Sequence, residues 1–281
     1  MPPVLLVLLA TASVQLGSGL ARTLFDDAGP GGTVFMRVLF AALLLTAIWR
    51  PRIAGVPRRD LWLAAAFGLA LAGMNFSFYL ALDRIPLGVA VTFEFAGPLA
   101  VAVAGSRRAL DVLWVLLAAA GILLLSDFGD FGSLDALGVA LALLAGSFWA
   151  GYILLSARVG QAFTGGGGLA LAMLVATLVL APVGVADAGG ALLEPGVLGM
   201  GAAVAMLSSA IPYSLELEAL RTLPKAAFGV LMSLEPAMAA LVGYVVLGEI
   251  LGARELAAIG LVVVASAGAA TSAGALVEIP K

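Results

Sequence analysis

Apolar stretches recur from one end of the chain to the other, separated by short segments that carry charged, glycine or proline residues. Most have the roughly 17 to 20 residues that an α-helix needs to cross the hydrocarbon core of a bilayer. Dividing the chain at the breaks predicts ten transmembrane helices, at residues 3–21, 33–49, 61–81, 87–105, 111–126, 134–156, 168–186, 197–219, 225–247 and 255–273. We therefore expect an all-α polytopic membrane protein.

The composition excludes an ordinary soluble domain. Hydrophobic residues make up 63% of the chain and charged residues 11%, whereas about 25% of a soluble domain is charged. The N-terminal stretch has neither a charged start nor a small-residue cleavage site. We interpret it as the first transmembrane helix and not as a signal peptide.

Two residue types that carry much of protein chemistry are absent, because the chain has no cysteine and no histidine. Disulfides, thiolate chemistry, Ser-His triads and histidine metal sites are therefore excluded. The sequence predicts no enzymatic activity, no metal, no cofactor and no nucleic-acid partner.

The distribution of basic residues predicts the orientation in the membrane. With the N-terminus in the cytoplasm, ten basic residues fall in inner segments, namely Arg50, Arg52, Arg58, Arg59, Arg107, Arg108, Arg158, Arg221, Lys225 and Lys281. Only Arg22, Arg84 and Arg254 then fall outside. Because lysine and arginine are enriched in cytoplasmic loops, we expect both termini in the cytoplasm.

Two segments of the chain resemble each other. The stretch "ALDRIPLGVAVTFEFAGPLA" aligns without gaps on "ALRTLPKAAFGVLMSLEPAMA" at a shift of 138 residues, so that Pro86 meets Pro224 and Pro98 meets Pro236. The first copy begins in a predicted outer loop and the second in an inner one. This predicts two inverted five-helix repeats, at residues 1–131 and 132–281, an arrangement common in secondary transporters that work by alternating access.

The same stretches resemble a known family. The segment "LEPAMAALVGYVVLGE", followed by a glycine-spaced final helix, resembles the EamA domain of the drug/metabolite transporter superfamily. The segments "IPLGVAVTFEFAGPLAVAVAGSRR", "FWAGYIL" and "IPYSLELEALRTLPKAAFGVLMSLEPAMAAL" are similar to bacterial inner-membrane threonine/homoserine exporters. The resemblance covers the whole chain. It implies ten helices, an inverted repeat, and efflux of small amino acids coupled to protons.

Glu94 is the strongest candidate for a functional charge, because ionisable residues inside membrane spans usually face a cavity or a partner. Pro98 lacks the N–H that would bond the carbonyl of Glu94, and Gly97 eases the resulting bend. An acid beside a freed carbonyl suits the ammonium group of an amino acid or a proton that competes with it. The alternative is a structural ion pair with Arg37, which is predicted at a similar depth.

A second group of residues is predicted to bend or gate the helices. Glu235 precedes Pro236 in the ninth predicted helix and aligns with Gly97, so the repeat does not duplicate the acid at Glu94. We interpret it as a gating or packing residue. The predicted kink positions are Pro86, Pro98, Pro224 and Pro236 together with Glu235.

Polar residues share one face on each of several predicted helices, which suggests a common interior cavity. The faces comprise Thr11, Gln15 and Ser18; Asn75 and Tyr79; Trp149, Tyr152 and Ser156; and Ser209, Tyr213 and Glu216. From them we predict the substrate-binding residues Gln15, Asn75, Tyr79, Trp149, Tyr152 and Tyr213 beside Glu94, with Glu216 and Arg37 as further candidates for proton coupling or ion pairing. Each face alone could instead serve hydrogen bonding between helices or an interfacial belt.

These observations predict a multi-pass secondary transporter of a bacterial inner membrane. Its expected partners are a small amino acid or related metabolite, protons and the lipid bilayer. An exporter of the same fold for drugs or other metabolites is the alternative, and the sequence does not predict the oligomeric state.

Overall fold

A computed structural model describes residues 2–51, 53–104, 113, 114, 116–118, 120, 121, 124, 134–212, 215, 219, 231, 232 and 234–274. Within these residues the fold is built of helices and connections, without a strand. The helices are α1 (Pro3–Arg22), α2 (Phe25–Trp49), α3 (Arg58–Leu82), α4 (Leu87–Glu94), α5 (Ala96–Ala104), α6 (Ala136–Ala162), α7 (Gly167–Ala188), α8 (Pro195–Ala205), α9 (Glu235–Leu247) and α10 (Ala253–Gly274).

The helices have the length and composition of membrane spans. Five are long and apolar enough to cross a bilayer, namely α1, α2, α3, α6 and α7 with the 3₁₀ turn that extends it to Leu193. Leu87–Val101, Pro195–Ala210 and Glu235–Leu247 are shorter apolar helices. This confirms an all-helical polytopic membrane protein. Half of the residues of the predicted span at 111–126 lie outside the described residues.

The helix α2 begins earlier than predicted, because a kink joins an extra turn to its start. Gly29 has φ 66° and ψ 166°, a conformation that glycine adopts without the steric cost of a Cβ, and Pro30 restarts the helix after it. The N–H of Gly31 donates to Oδ2 of Asp187 at 2.7 Å. This carboxylate at the restarted helix N-terminus fixes α2, which carries Arg37, against the end of α7.

The helix pairs cross the two predicted repeats. The helix α2 packs along α7, and α3 packs along α6 and α7. The helix α4 packs against α9 and α6, while α1 packs against α9 and α8. The largest buried cluster lies among these helices. Its fully buried members include Leu71, Tyr79, Leu82, Leu87 and Phe93.

Helix breaks occur at corresponding places in the two similar segments. The fourth predicted span is divided into α4 and α5 at Phe95, and α5 starts two residues before Pro98. The helix α9 starts at Glu235, one residue before Pro236. In each segment the proline lies in the first turn of a helix, where its missing N–H leaves no hydrogen bond unmade.

Glycines bring α6 against the break between α4 and α5. A Cβ at Gly97 would clash with the carbonyl oxygen of Gly146, and a Cβ at Gly146 would stand 2.5 Å from the carbonyl oxygen of Glu94. Both neighbours are backbone atoms, so neither can move aside like a flexible side chain. The position of Glu94 therefore depends on the absence of a side chain at Gly146.

We expect Gly146→Ala to destabilise the protein by about 1–3 kcal/mol, the usual cost of inserting a methyl group into a packed site. The measurement is thermal unfolding of the purified protein in detergent. Gly151→Ala is the matched control, because Gly151 lies on the same helix and a Cβ there would have no neighbour within 4 Å. Equal melting temperatures for the two variants would contradict the close contact.

Candidate functional site

A cavity of about 440 Å³ lies between the helices, within the range of small-molecule sites. Seven residues of the predicted site line it: Gln15, Arg37, Asn75, Glu94, Trp149, Tyr152 and Glu235. They come from α1, α2, α3, α4, α6 and α9, so polar side chains of six helices meet at one place. Apolar residues, among them Val14, Met74, Phe78 and Val91, complete the wall.

Glu94 is the last residue of α4 and is 8% exposed. The chain turns at Phe95, and the side chain lies where the helix is interrupted. Arg37 on α2 is the charged residue whose field acts on Glu94. The cavity lining therefore includes the acid Glu94 at a helix break and the base Arg37 in the middle of a long helix.

Arg37 is held by two neighbours. Its Nη1 donates to the hydroxyl of Tyr79 at 3.3 Å, and its Nη2 donates to the carbonyl of Ser208 at 3.4 Å. The guanidinium carbon also lies 5.5 Å from the centre of the Tyr79 ring, a distance at which a cation is attracted to an aromatic face. These contacts orient the guanidinium at the cavity wall.

Tyr79 differs from the other predicted binding residues, because it is fully buried and does not line the cavity. Its ring centre lies 5.8 Å from that of Phe25 and 6.2 Å from that of Phe78. The structure thus places Tyr79 behind Arg37, and Asn75, one turn earlier on α3, faces the cavity.

The aromatic residues of α6 form one side of the cavity. Tyr152 stacks on Phe67 with ring centres 5.1 Å apart, and Trp149 meets Phe95 edge-on at 5.5 Å. Asn75 donates from its side-chain amide to the carbonyl of Leu71 at 2.8 Å. These contacts fix the side chains and leave an amphipathic surface suited to a small organic molecule.

Ser208 is a cavity residue that the sequence analysis missed. It lies in a π-helical turn, Met206–Ala210, that follows α8. Such turns release backbone groups from the regular α-helical pattern and occur often at functional sites. Here the carbonyl of Leu207 accepts from the hydroxyl of Ser13 at 2.7 Å, and that of Ser208 accepts from Arg37. The sequence signal is the adjacent pair Ser208–Ser209 within an apolar helix.

The residues predicted to bend or gate the helices occupy different places. Glu235 is 5% exposed and lines the cavity at the start of α9. Pro86 is the N-cap of α4, while Pro98 and Pro236 lie in the first turns of α5 and α9. Tyr213, Glu216 and Pro224 lie outside the described residues.

Two ion pairs, neither predicted from the sequence, join helix ends on the side of the membrane where α1 ends. Arg22 pairs with Glu249 in the connection after α9, and Glu249 Oε2 also accepts from the N–H of Leu87 at 3.0 Å. Arg84 pairs with Asp135 at 2.9 Å. These contacts tie the ends of α1, α4 and α9 together, and the end of α3 to the start of α6.

Comparison with known proteins agrees with this architecture, an all-helical membrane protein with a charged cavity between its helices. The sequence model of the EamA-like transporter family matches residues 136–271. The threonine/homoserine exporter RhtA of Escherichia coli (strain K12) is 45% identical over 270 residues, covering 95% of this chain and 90% of the relative. The RhtA of Salmonella typhimurium (strain LT2) is 44% identical with the same coverage. The chain belongs to the EamA-like transporter family.

A solved structure shows the same fold. The crystal structure of a protein with 19% sequence identity superposes with a TM-score of 0.63, covering 98% of this chain and 99% of that one. At this identity the likeness concerns the fold alone. It extends over the full length of the chain, including the half that precedes the family match.

Burial raises the pKa of the Glu249 carboxyl above its ordinary value, although Arg22 and the Leu87 amide favour its charged form. The native state therefore holds this proton more tightly than the unfolded chain. Stability should fall as the pH rises from about 4.3, the ordinary glutamate value, through the raised native value. We expect the melting temperature of wild type to fall relative to Glu249→Gln over this interval, measured in detergent.

The control for this pH dependence is Glu194→Gln, which removes an exposed carboxylate. Its melting temperature should follow that of wild type across the series. A melting-temperature difference between wild type and Glu249→Gln that stays constant with pH, or that changes in the opposite direction, would contradict the raised pKa of Glu249.

Proposed function

We propose that this protein is a secondary exporter of small amino acids of the threonine/homoserine kind. The observation that carries the proposal is the presence of Glu94 and Arg37 in the lining of one cavity between membrane helices, with the charge of Arg37 acting on Glu94. An amino acid is a zwitterion with an ammonium group and a carboxylate about two bonds apart. A buried acid and a half-buried guanidinium match these two groups and disfavour molecules that carry only one charge.

The two charged side chains suit the two charged groups of an amino acid. The guanidinium of Arg37 forms a planar fork suited to a carboxylate, and Tyr79 and Ser208 orient it. Glu94 lies at the end of a broken helix and receives the ammonium group. Gln15, Asn75, Trp149 and Tyr152 surround the remainder of the substrate. The two RhtA relatives, which are threonine/homoserine exporters by name, support this substrate class.

Transport by alternating access requires two halves that move around a central site. We infer ten spans in two inverted repeats, residues 1–131 and 132–281, with both termini in the cytoplasm. The contacts between helices support this repeat, because each contact has a counterpart in which both span numbers differ by five. The helix α2 meets α7, and α4 meets α9. The contacts α3–α6 and α4–α6 correspond to α8–α1 and α9–α1. Gly121 of the fifth span likewise lies against Ala258 of α10.

Proton coupling follows from a single carboxylate that serves two ligands in turn. Glu94 binds either a proton or the ammonium group of the substrate, since neutralised Glu94 no longer attracts a cation. Protons that enter from outside displace the substrate there, and the substrate displaces them on the cytoplasmic side. The proton gradient across a bacterial inner membrane then drives export.

The test uses proteoliposomes with an acidic interior. Wild-type vesicles should accumulate labelled threonine above equilibrium as protons leave, and Glu94→Gln should reduce this gradient-driven uptake to the level of empty vesicles while the protein stays folded. The reason is that the amide neither exchanges a proton nor attracts the ammonium group. Glu194→Gln removes an exposed carboxylate and should transport like wild type.

The outcomes separate the substrate from the coupling mechanism. Gradient-driven uptake in Glu94→Gln equal to that of wild type would overturn the coupling role of Glu94. A folded wild-type protein that neither accumulates threonine or homoserine nor exchanges them would overturn the amino-acid substrate, and would favour a drug or another metabolite as cargo.

A further inference from the structure

Three buried oxygen atoms lie on α1 and on the π-helical turn that packs against it. They are Oε1 of Gln15 and the hydroxyl oxygens of Ser208 and Ser209, and each of these residues is 2% exposed. In the part of the chain that the structure describes, none of the three oxygens has a hydrogen-bond partner. Since buried polar groups in native proteins are nearly always paired, such a group beside a cavity indicates a ligand.

The local sequence explains why α1 and the π-helical turn lie against each other. Ser13 donates to the carbonyl of Leu207 and pins α1 to the π-turn. One turn later Gly17 has no side chain, and the hydroxyl of Ser208 packs directly on it, where a Cβ would clash. Gln15 lies between Ser13 and Gly17 in the sequence, on the face of α1 turned away from them. The close approach of the two backbones thus fixes the helix that carries Gln15 against the turn that carries Ser208, and both residues line the cavity.

This polar patch adjoins the guanidinium that is proposed to bind the substrate carboxylate. The carbonyl of Ser208 accepts from Arg37 at 3.4 Å, so the patch and the guanidinium share one residue. Gln15 lines the same cavity as Arg37, so a substrate that binds there can meet both residues. The group that fits the unpaired amide oxygen of Gln15 is a hydroxyl, since it both donates and accepts hydrogen bonds.

We infer that Gln15, supported by Ser208, selects substrates that carry a hydroxyl group on the side chain. The inference rests on the proposed amino-acid export and deepens it, because it assigns the basis of selectivity. An aliphatic amino acid of the same shape would leave the buried oxygens unpaired, and sites built to bind a hydroxyl reject such analogues strongly. The cavity thus recognises the backbone of the substrate with charges and its side chain with neutral polar groups.

The test compares two pairs of competitors that differ in the hydroxyl. Threonine is compared with valine, and homoserine with norvaline, as inhibitors of labelled-serine exchange in proteoliposomes. Wild type should prefer the hydroxylated member of each pair by at least about tenfold. In Gln15→Leu, which keeps the bulk and removes the amide oxygen and nitrogen, this preference ratio should fall about tenfold. Ser208→Ala should lower the same ratio by a smaller factor.

Gln161→Leu is the matched control, because it makes the same substitution at an exposed position near the end of α6, away from the cavity. Its preference ratio should equal that of wild type. Thermal unfolding of each variant in detergent reports folding, and Ser208→Ala, which removes one oxygen, provides the answer if Gln15→Leu does not fold.

The results distinguish this inference from the function on which it rests. If wild type exchanges amino acids and prefers the hydroxylated members, but folded Gln15→Leu and Ser208→Ala keep the full ratio, the patch binds only water or packs helices and the inference is overturned. If wild type exchanges amino acids without preference, the inference also fails, while the exporter function stands. If wild type exchanges no amino acid, the proposed function itself fails.

Discussion

The hydrocarbon core of a membrane contains no water to bind an unpaired backbone group, so a helix can be interrupted there only where protein surrounds the break. The interruption between α4 and α5 obeys this constraint. Pro98 lies in the first turn of α5, where its missing N–H leaves no hydrogen bond unmade, and the carbonyl of Glu94 lies against Gly146 of α6. The enclosed break also supplies the place for a charged side chain. The close contact of Gly97 and Gly146 thus also fixes the position of Glu94.

The positive charge of Arg37 likewise needs protein groups that replace water. A guanidinium in this position needs hydrogen-bond acceptors and an aromatic surface to replace water. Tyr79 and the π-turn at Ser208 supply both. The irregular turns of α4–α5 and α8 therefore act together, since one presents the acid and the other positions the base.

The sequence predicted the features that depend on periodicity and composition. The helical class follows from apolar stretches, and the meeting of Gln15, Asn75, Glu94, Trp149 and Tyr152 at one cavity agrees with the polar faces of their helices. It could not predict that Tyr79 packs behind Arg37, because Asn75 and Tyr79 share a face and only the neighbouring α2 distinguishes them.

The missed features require contacts between distant segments. The π-turn depends on Ser13 and Leu207, which are 194 residues apart, and the pair of Arg22 with Glu249 joins residues 227 apart. The early start of α2 depends on Asp187 of α7, since the Gly29–Pro30 sequence alone reads as a loop. No local pattern specifies such contacts.

The carboxylate of Glu249 joins segments that lie on either side of the inferred boundary between the repeats, Arg22 and Leu87 before it and its own connection after it. Its side chain is 12% exposed and that of Arg22 is 30% exposed. Water can therefore reach both partners as soon as the helix ends separate. On separation both partners regain the hydration that burial removed, so the net free energy of the pair is much smaller than the attraction between its charges. The contact thus specifies how the helix ends are aligned when they meet, and it adds little to the barrier against their parting.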